Sequence, residues 1–189
     1  LATLLHDAGK PESRAGAPET GRITFYGHDA AGSRIAEGIA ARLKFPVRDH
    51  ELFRRLIGDH MHMIGLSGRD VRPGTILRWF RRLGEDMVLL LLLGMADVMA
   101  TAGPASSEVE RAHQLRWCRE TIRRYYTEIK DRLARKPLIG GRDLMAIGIP
   151  PGPGMGEILD AVRASQDEGV VQNRDEALAL AAELTRRRG

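Results

Sequence analysis

The stretch Met87-Val-Leu-Leu-Leu-Leu-Leu-Gly-Met-Ala-Asp97 decides which kind of fold this chain can form. Its apolar run, 87–96, is about half of the roughly 20 residues that a helix needs to cross a membrane. Asp97 then interrupts the run, so we interpret it as a buried helix at the core of a globular domain. A carboxylate in such a helix costs several kcal/mol unless it is paired, which makes Asp97 a candidate functional residue.

Helical spacing continues on both sides of this stretch. Ile35, Ile39 and Leu43 are four residues apart and form one apolar stripe. Residues 10–27 are rich in Gly, Pro, Ser and charge, and they predict an exposed loop. No segment shows a convincing strand alternation, so we predict an all-α fold class. The predicted helices cover 1–9, closed by Gly9, and then 28–44, 48–63, 74–83, 85–101 and 108–135.

The length of the chain and the positions of its Gly and Pro residues suggest one domain with a small appendage. The chain has 189 residues, of which 43% are hydrophobic and 29% charged, as is typical of a soluble globular protein. Gly and Pro cluster after Lys136, so we expect a helical domain over 1–136 and a small helical tail over 137–189. Because the chain starts at Leu1 inside a predicted helix, we expect a natural N-terminal portion that it does not contain.

The charge of the chain permits contact with nucleic acid without requiring it. The formal net charge is +4 and the isoelectric point is about 9.6. Arginines are concentrated in 108–135, and they either bind RNA phosphates or pair with acidic residues of the same helix. The single cysteine, Cys118, excludes an intrachain disulfide. Together with the lack of a visible signal peptide, it predicts a cytoplasmic protein without a membrane partner.

Five side chains at distant positions are of the types that bind divalent metals: His6, Asp7, His28, His60 and Asp97. Imidazole and carboxylate suit Mn, Fe, Ni, Co or Zn, and carboxylate with water suits Mg. Adjacent residues on one helix point in different directions, so a shared ion has to lie near a helix end or between helices. The alternative is that each is an ordinary hydrogen-bonded or ion-paired residue, with Asp97 facing one of the arginines.

An ordered series of short motifs resembles the HD superfamily of metal-dependent phosphohydrolases. The series is Leu4-Leu5-His6-Asp7-Ala8-Gly9-Lys10-Pro11, Phe25-Tyr26-Gly27-His28-Asp29, Leu56-Ile57, His60-Met61 and Ala96-Asp97. The tail narrows the resemblance to the HD portion of bacterial CCA-adding tRNA nucleotidyltransferases and poly(A) polymerases. The motifs of that narrower resemblance are Pro137-Leu138-Ile139-Gly140-Gly141-Arg142-Asp143-Leu144, Pro151-Gly152-Pro153 and Glu176-Ala177-Leu178.

The resemblance implies a role for each matching residue. His6, Asp7 and Asp97 match metal ligands of the HD motif. His28 and His60 match further histidines that bind a second metal or the substrate phosphate, and Lys10 would neutralise phosphate charge. The implied catalytic residues are Asp7, Lys10, His28 and His60. The implied activities are those of a phosphatase, a 2'-nucleotidase or a 2',3'-cyclic phosphodiesterase, with a metal-activated water attacking phosphorus.

Two departures from the family pattern limit the assignment. The family's first histidine lies upstream of the His6-Asp7 pair, outside this chain. There is also no Gly-Gly or Gly-Ser followed by Asp-x-Asp, so we assign no nucleotide addition to this chain.

Two hypotheses about function follow from these patterns. The main hypothesis is an HD-type phosphohydrolase that acts on nucleotide or RNA-end phosphoesters. The alternative is a catalytically inert tRNA-binding body and tail of a CCA-adding enzyme. The sequence selects neither the metal, nor the exact substrate, nor the oligomeric state.

Overall fold

The structure, a computed structural model, describes residues 1–16, 23–67, 71, 73–101 and 107–187. Within these ranges the chain is mostly helical, which confirms the all-α prediction. The helices are α1 (Ala2–Leu5), α2 (His28–Arg42), α3 (Val47–Ser67), α4 (Pro73–Leu83), α5 (Asp86–Ala100), α6 (Glu108–Arg124), α7 (Lys130–Ala134), α8 (Gly141–Ala146), α9 (Pro153–Glu168) and α10 (Arg174–Arg186). A π-helical turn, Tyr125–Ile129, connects α6 to α7.

The helix boundaries differ from the predicted ones mainly at the N-terminus. Helix α1 ends at Leu5, whereas the sequence predicted a helix up to Gly9. The reason is a change to tight turns, in which the amide of Ala8 donates to the carbonyl of Leu5 and that of Lys10 to Asp7, each at 3.0 Å. These bonds span three residues rather than the four of an α-helix. The His6-Asp7 pair therefore lies in a turn.

A small antiparallel ladder lies inside the stretch that the sequence predicted to be an exposed loop. Strand β1 (Ala15–Gly16) pairs with β2 (Ile23–Thr24), and Ala15 lies opposite Thr24. Two residues per strand are too few to show an alternating pattern, which is why the sequence did not reveal them.

The chain divides into two compact units. The first unit comprises 1–71 and 83–125, and the second comprises 72–82 and 126–189. One boundary falls in the π-helical turn and the other two enclose α4, which belongs to the second unit except for Leu83. The assignment of separate functions to 1–136 and 137–189 stays a prediction.

The first unit is built around α3 and α5. Helix α3 packs against α2 and α5, helix α5 packs against α6, and α1 contacts α2, α3 and α5. Met87, Leu90 and Leu91 of α5 are fully buried, as expected for a core helix, whereas Leu89 and Leu92 on its other face are 43% and 49% exposed. Within the described ranges, no helix combines the length and apolar character needed to cross a membrane.

The second unit has its own apolar core, formed by the tail helices. Helix α9 packs against α8 and α10, and α8 contacts α10. The core residues are Ile139, Leu144, Ile149, Ile158, Val162, Val171, Ala177 and Ala181. In the part of α4 that belongs to this unit, the side chains of Ile76, Leu77 and Phe80 are also buried.

Candidate metal centre

A close backbone approach brings the two His-Asp pairs of the sequence together. A Cβ at Gly9 would lie 2.1 Å from the carbonyl oxygen of His28 and 2.4 Å from the amide nitrogen of Gly32, so only glycine fits there. A Cβ at Gly32 would in turn lie 3.3 Å from the carbonyl oxygen of His6. The turn that carries His6 and Asp7 therefore lies directly against the first turn of α2, whose first residue is His28.

All five predicted metal-binding side chains converge in the first unit. His6 Nε2 lies 3.4 Å from Asp7 Oδ2 and 3.3 Å from Asp97 Oδ1. His28 Nε2 lies 3.5 Å from Asp7 Oδ1 and 3.2 Å from His60 Nε2. The turn after α1 and the helices α2, α3 and α5 each contribute to this set, which we call the His/Asp cluster.

Each histidine of the cluster is oriented by a backbone carbonyl three residues earlier. The Nδ1 atoms lie 2.8, 2.7 and 2.7 Å from these oxygens, in the pairs His6–Thr3, His28–Phe25 and His60–Ile57. A carbonyl oxygen can only accept, so each Nδ1 donates and the neutral ring keeps its lone pair on Nε2. Three Nε2 lone pairs thus face carboxylates or one another, an arrangement that requires a proton or a cation between them.

The donor set of the cluster fits a divalent metal. Two groups have ligand atoms that all lie within 4.8 Å of one another, Asp7 with His28 and His60, and His6 with Asp7 and Asp97. Asp7 is common to both groups. Mixed imidazole and carboxylate donors favour Mn, Fe, Co, Ni or Zn over Mg, which prefers oxygen ligands. The carbonyl bonds to Nδ1 are the outer contacts that typically orient metal-binding histidines.

Burial keeps His60 in its neutral form. The residue is 2% exposed. This burial is the main cause that lowers the pKa of His60 below its usual range, and the neighbouring imidazoles of His28 and His6 lower it further, against the bond to the Ile57 carbonyl. At neutral pH the Nε2 atom of His60 therefore offers a lone pair, as a metal ligand must.

Lys10 lies at the exposed side of the cluster. Its Nζ donates to Asp7 Oδ2 at 2.6 Å and lies 5.8 Å from the centre of the Phe25 ring. The side chain is 41% exposed. An anion that approached the cluster from solvent would meet this ammonium group. Neutralisation of phosphate charge, the role that the resemblance implies for Lys10, requires this position.

An open cavity of about 500 Å³ adjoins the cluster. Asp7, Lys10, His28, His60 and Asp97 line one part of it. The rest includes Tyr26, which lies in a motif of the resemblance but had no predicted role, and Arg111 and Gln114, which the sequence did not single out. Nothing in the local pattern of α6 distinguishes Arg111 or Gln114 from other surface residues, since the packing of α6 against α5 and α3 places them here.

The arginine-rich segment is only partly neutralised by its own acidic residues. Arg123 pairs with Glu120 at 2.6 Å, and Arg132 pairs with Glu128 at 3.1 Å. Arg116 and Arg119, both exposed, have no acidic partner among the residues that the structure describes. Pairing with acidic residues of the same segment therefore accounts for only part of these arginines, and RNA contact by the others stays a prediction.

Comparison with known proteins supports the resemblance to tRNA nucleotidyltransferases. Residues 105–182 match the family described as "tRNA nucleotidyltransferase domain 2 putative". The chain is similar to the A-adding tRNA nucleotidyltransferase of Deinococcus radiodurans, with 36% identity over 182 residues, 95% of this chain and 40% of the relative. It is also similar to the CC-adding tRNA nucleotidyltransferase of Thermus thermophilus, with 36% identity over 181 residues, 95% of this chain and 38% of the relative.

A third relative carries a different name. The bifunctional uridylyltransferase/uridylyl-removing enzyme of Bradyrhizobium diazoefficiens is 32% identical over 120 residues, 61% of this chain and 12% of the relative. No solved structure matches the chain significantly. The chain thus spans about two fifths of the length of the two tRNA nucleotidyltransferases.

Proposed function

We propose that this chain is the helical, RNA-binding portion of a tRNA nucleotidyltransferase-like protein. The similarity to an A-adding and a CC-adding enzyme over 95% of the chain is the observation that carries the proposal. The chain has no Gly-Gly or Gly-Ser that is followed by an Asp-x-Asp pair, which is the signature of nucleotide addition. Addition would therefore take place elsewhere in a longer protein, while this portion holds the tRNA.

The charge of α6 supports contact with RNA. Arg116 and Arg119 are three residues apart, which places them on neighbouring positions of one helix face. Guanidinium groups without a carboxylate partner bind phosphates and release counterions, so the resulting affinity falls with salt. Of the basic residues at the end of the chain, Arg187 pairs with Glu183, and Arg188 lies outside the described residues.

Fluorescence anisotropy with a labelled tRNA transcript tests this proposal. We expect the wild type to bind, and Arg116→Gln/Arg119→Gln to bind more weakly, with a salt slope reduced by about 1 for each lost phosphate contact. The matched control is Arg123→Gln, because Glu120 already pairs with that guanidinium. If the wild type shows no affinity for tRNA, the proposed function is wrong.

The His/Asp cluster supports a second candidate function, metal-dependent hydrolysis of phosphoesters. The specific observation is that three Nε2 lone pairs and two carboxylates converge beside an open cavity. A divalent cation held by His6, Asp7, His28, His60 and Asp97 would polarise the phosphoester and activate water. The name of the uridylyl-removing relative agrees with this candidate, since removal of a uridylyl group breaks a bond to phosphorus.

The remaining residues of the cavity would bind and orient such a substrate. Lys10 and Arg111 are its cations and would neutralise the phosphate. Arg111 is fixed at one point, because its Nη1 donates to the carbonyl oxygen of Thr101 at 3.1 Å. The cavity of about 500 Å³ has room for the organic part of a nucleotide, with Gln114 as a polar contact.

Metal analysis after dialysis against Mn, Co, Ni or Zn tests the second candidate. We expect near-stoichiometric metal in the wild type and in Asp29→Asn, and its loss in Asp7→Asn. Asp29 is a matched control because it belongs to the other His-Asp pair, and its Oδ1 accepts from the Ala30 amide at 2.9 Å. Metal binding should accompany hydrolysis of 2',3'-cyclic or 2'-phosphate nucleotides. A wild type that holds no metal would leave only the RNA-binding function.

A further inference from the structure

Helix α4 has a charge pattern unlike that of the other helices that the structure describes. It carries Arg78, Arg81 and Arg82 and no acidic residue, whereas each other described helix with an arginine also has Asp or Glu. The nearest acidic residues along the chain are Asp70 before it and Glu85 after it. Such a one-sided pattern is unusual in a sequence with 25 acidic residues, and it suggests an anionic partner.

The three arginines of α4 do different things. Arg81 forms a bidentate pair with Asp167, from its Nε at 2.8 Å and its Nη2 at 2.7 Å. Arg78 and Arg82 are exposed and lie one helical turn apart. Arg78 donates to the hydroxyl of Thr75 at 3.2 Å, a contact that does not neutralise its charge. The pair to Asp167 therefore anchors α4 while the other two guanidinium groups stay at the surface.

Arg82 is stacked on an aromatic ring. Its guanidinium carbon lies 4.1 Å from the centre of the Trp79 ring, which is half-buried. Stacking on the indole holds the guanidinium plane in one orientation, so less side-chain entropy is lost when a ligand stacks on its outer face. The other side of α4 is fixed by the buried side chains of Ile76, Leu77 and Phe80. The Arg82–Trp79 contact is thus a cationic, aromatic element at the surface of α4.

We propose that Arg78, Trp79 and Arg82, which we call the α4 platform, bind RNA. Arg78 contacts a backbone phosphate, and an unstacked base lies on the Arg82–Trp79 stack. The inference rests on the proposed RNA-binding function and names a contact surface for it. RNA is favoured over an acidic peptide because the guanidinium group over the indole can contact the face of a base. The carboxylates of a peptide would bind to any cationic side chain and would not need the aromatic ring.

Tryptophan fluorescence gives a direct readout of the platform. The chain has two tryptophans, so Trp117→Phe leaves Trp79 as the reporter. We expect tRNA to quench the emission of Trp79 in the full chain that carries Trp117→Phe. Circular dichroism of this variant is the folding control. Poly-glutamate at equal charge is the comparison ligand and should not quench it.

Substitutions at Arg82 separate stacking from charge. Arg82→Lys keeps the charge and loses the plane, and we expect it to weaken tRNA binding about tenfold, as the loss of a stacked base does. Arg78→Gln should weaken binding uniformly across RNA sequences and reduce the salt slope by about 1. The matched control is Arg54→Gln, an exposed arginine that already pairs with Glu51 at 2.7 Å and should leave binding unchanged.

Three outcomes overturn either the platform or the function on which it rests. If Arg82→Lys and Arg78→Gln bind tRNA as the wild type does, the platform is not an RNA contact, although the RNA-binding function stands. If poly-glutamate quenches Trp79 as strongly as tRNA does, the surface responds to charge alone and the inference is wrong. If no form of the chain binds tRNA, the proposed function itself fails.

Discussion

At the scale of single residues, the candidate metal centre depends most directly on Gly9. This position has no room for a Cβ, because the carbonyl oxygen of His28 would lie 2.1 Å away. The contact is with backbone rather than with a flexible side chain, so relief requires the turn to move away from α2. Such a movement separates Asp7 from His28, two ligands of the same candidate site.

We therefore expect Gly9→Ala to destabilise the protein and to weaken metal binding. The loss of stability should be about 2 to 3 kcal/mol, the upper part of the range for overpacking. The control is Gly38→Ala in α2, where a new Cβ has nothing within 4 Å and should stabilise the helix slightly. Chemical denaturation and equilibrium dialysis with metal measure both effects, and equal stability of the two variants would refute the packing argument.

The single cysteine gives a prediction about pH. Burial raises the pKa of the Cys118 thiol from 9.0 to about 11. As the pH rises, the thiol ionises in the unfolded chain before it ionises in the folded one. The contribution of the thiol to the free energy of unfolding is therefore fully present below pH 9 and is lost as the pH rises through about 11. We expect the difference in unfolding free energy between wild type and Cys118→Ala to shrink over this range. A difference that does not change with pH would show that the thiol is solvated.

At the scale of elements, Asp167 joins α4 to α9 within the second unit. Its side chain is 5% exposed and faces two cations, Arg81 at 2.7 Å and Arg163 at 3.7 Å. Burial lowers the pKa of Arg163, and the neighbouring Arg81 lowers it further. Two guanidinium groups thus depend on one buried carboxylate. No local pattern distinguishes Asp167 from the other acidic residues of the chain.

Asp167→Asn should remove the negative charge that faces Arg81 and Arg163. We expect a loss of about 1.5 to 3 kcal/mol, the range for hydrogen bonds to charged groups. Glu183→Gln is the matched control in the same unit, because the pair of Glu183 with Arg187 is largely exposed and contributes little. Thermal unfolding of both variants makes the comparison. Equal melting temperatures would contradict the view that Asp167 anchors α4.

The elements that the sequence predicted well are those with a long apolar period. The predicted helices 28–44, 48–63, 74–83 and 85–101 match α2 to α5, with the largest shift, four residues, at the end of α3. The misses are short or aperiodic: the early end of α1, the β1–β2 ladder and the π-helical turn Tyr125–Ile129. Each of these covers only a few residues, too short a stretch for a period of apolar residues to show.

At the scale of the whole molecule, the sequence predicted which residue types could share a site but not how they face one another. Motif order indicated His6, Asp7, His28, His60 and Asp97, and the structure places them together. The orientation of the imidazoles depends on backbone carbonyls, and the cavity depends on the packing of α6. The carbonyl bonds are local, three residues apart, but they depend on the exact backbone conformation, and the cavity arises from contacts between distant segments, so neither can be derived from residue types and spacing alone.

The two proposed functions differ in what they require of the molecule. RNA binding depends on exposed arginines such as Arg78, Arg82, Arg116 and Arg119. Hydrolysis depends on the His/Asp cluster, and Asp7→Asn should abolish metal binding without weakening the affinity for tRNA. A variant that loses both properties together would indicate that one site serves both, contrary to this division.

The most direct test of the RNA-binding function is the salt dependence of tRNA affinity. If Arg78, Arg116 and Arg119 each contact a phosphate, the plot of log K against log salt should fall with a slope of about −2 to −3. The glutamine variants of Arg78 and Arg116 should each make the slope shallower by about 1. Affinity for tRNA that is absent, or that does not change between low and moderate salt, would contradict the proposal that this chain holds tRNA.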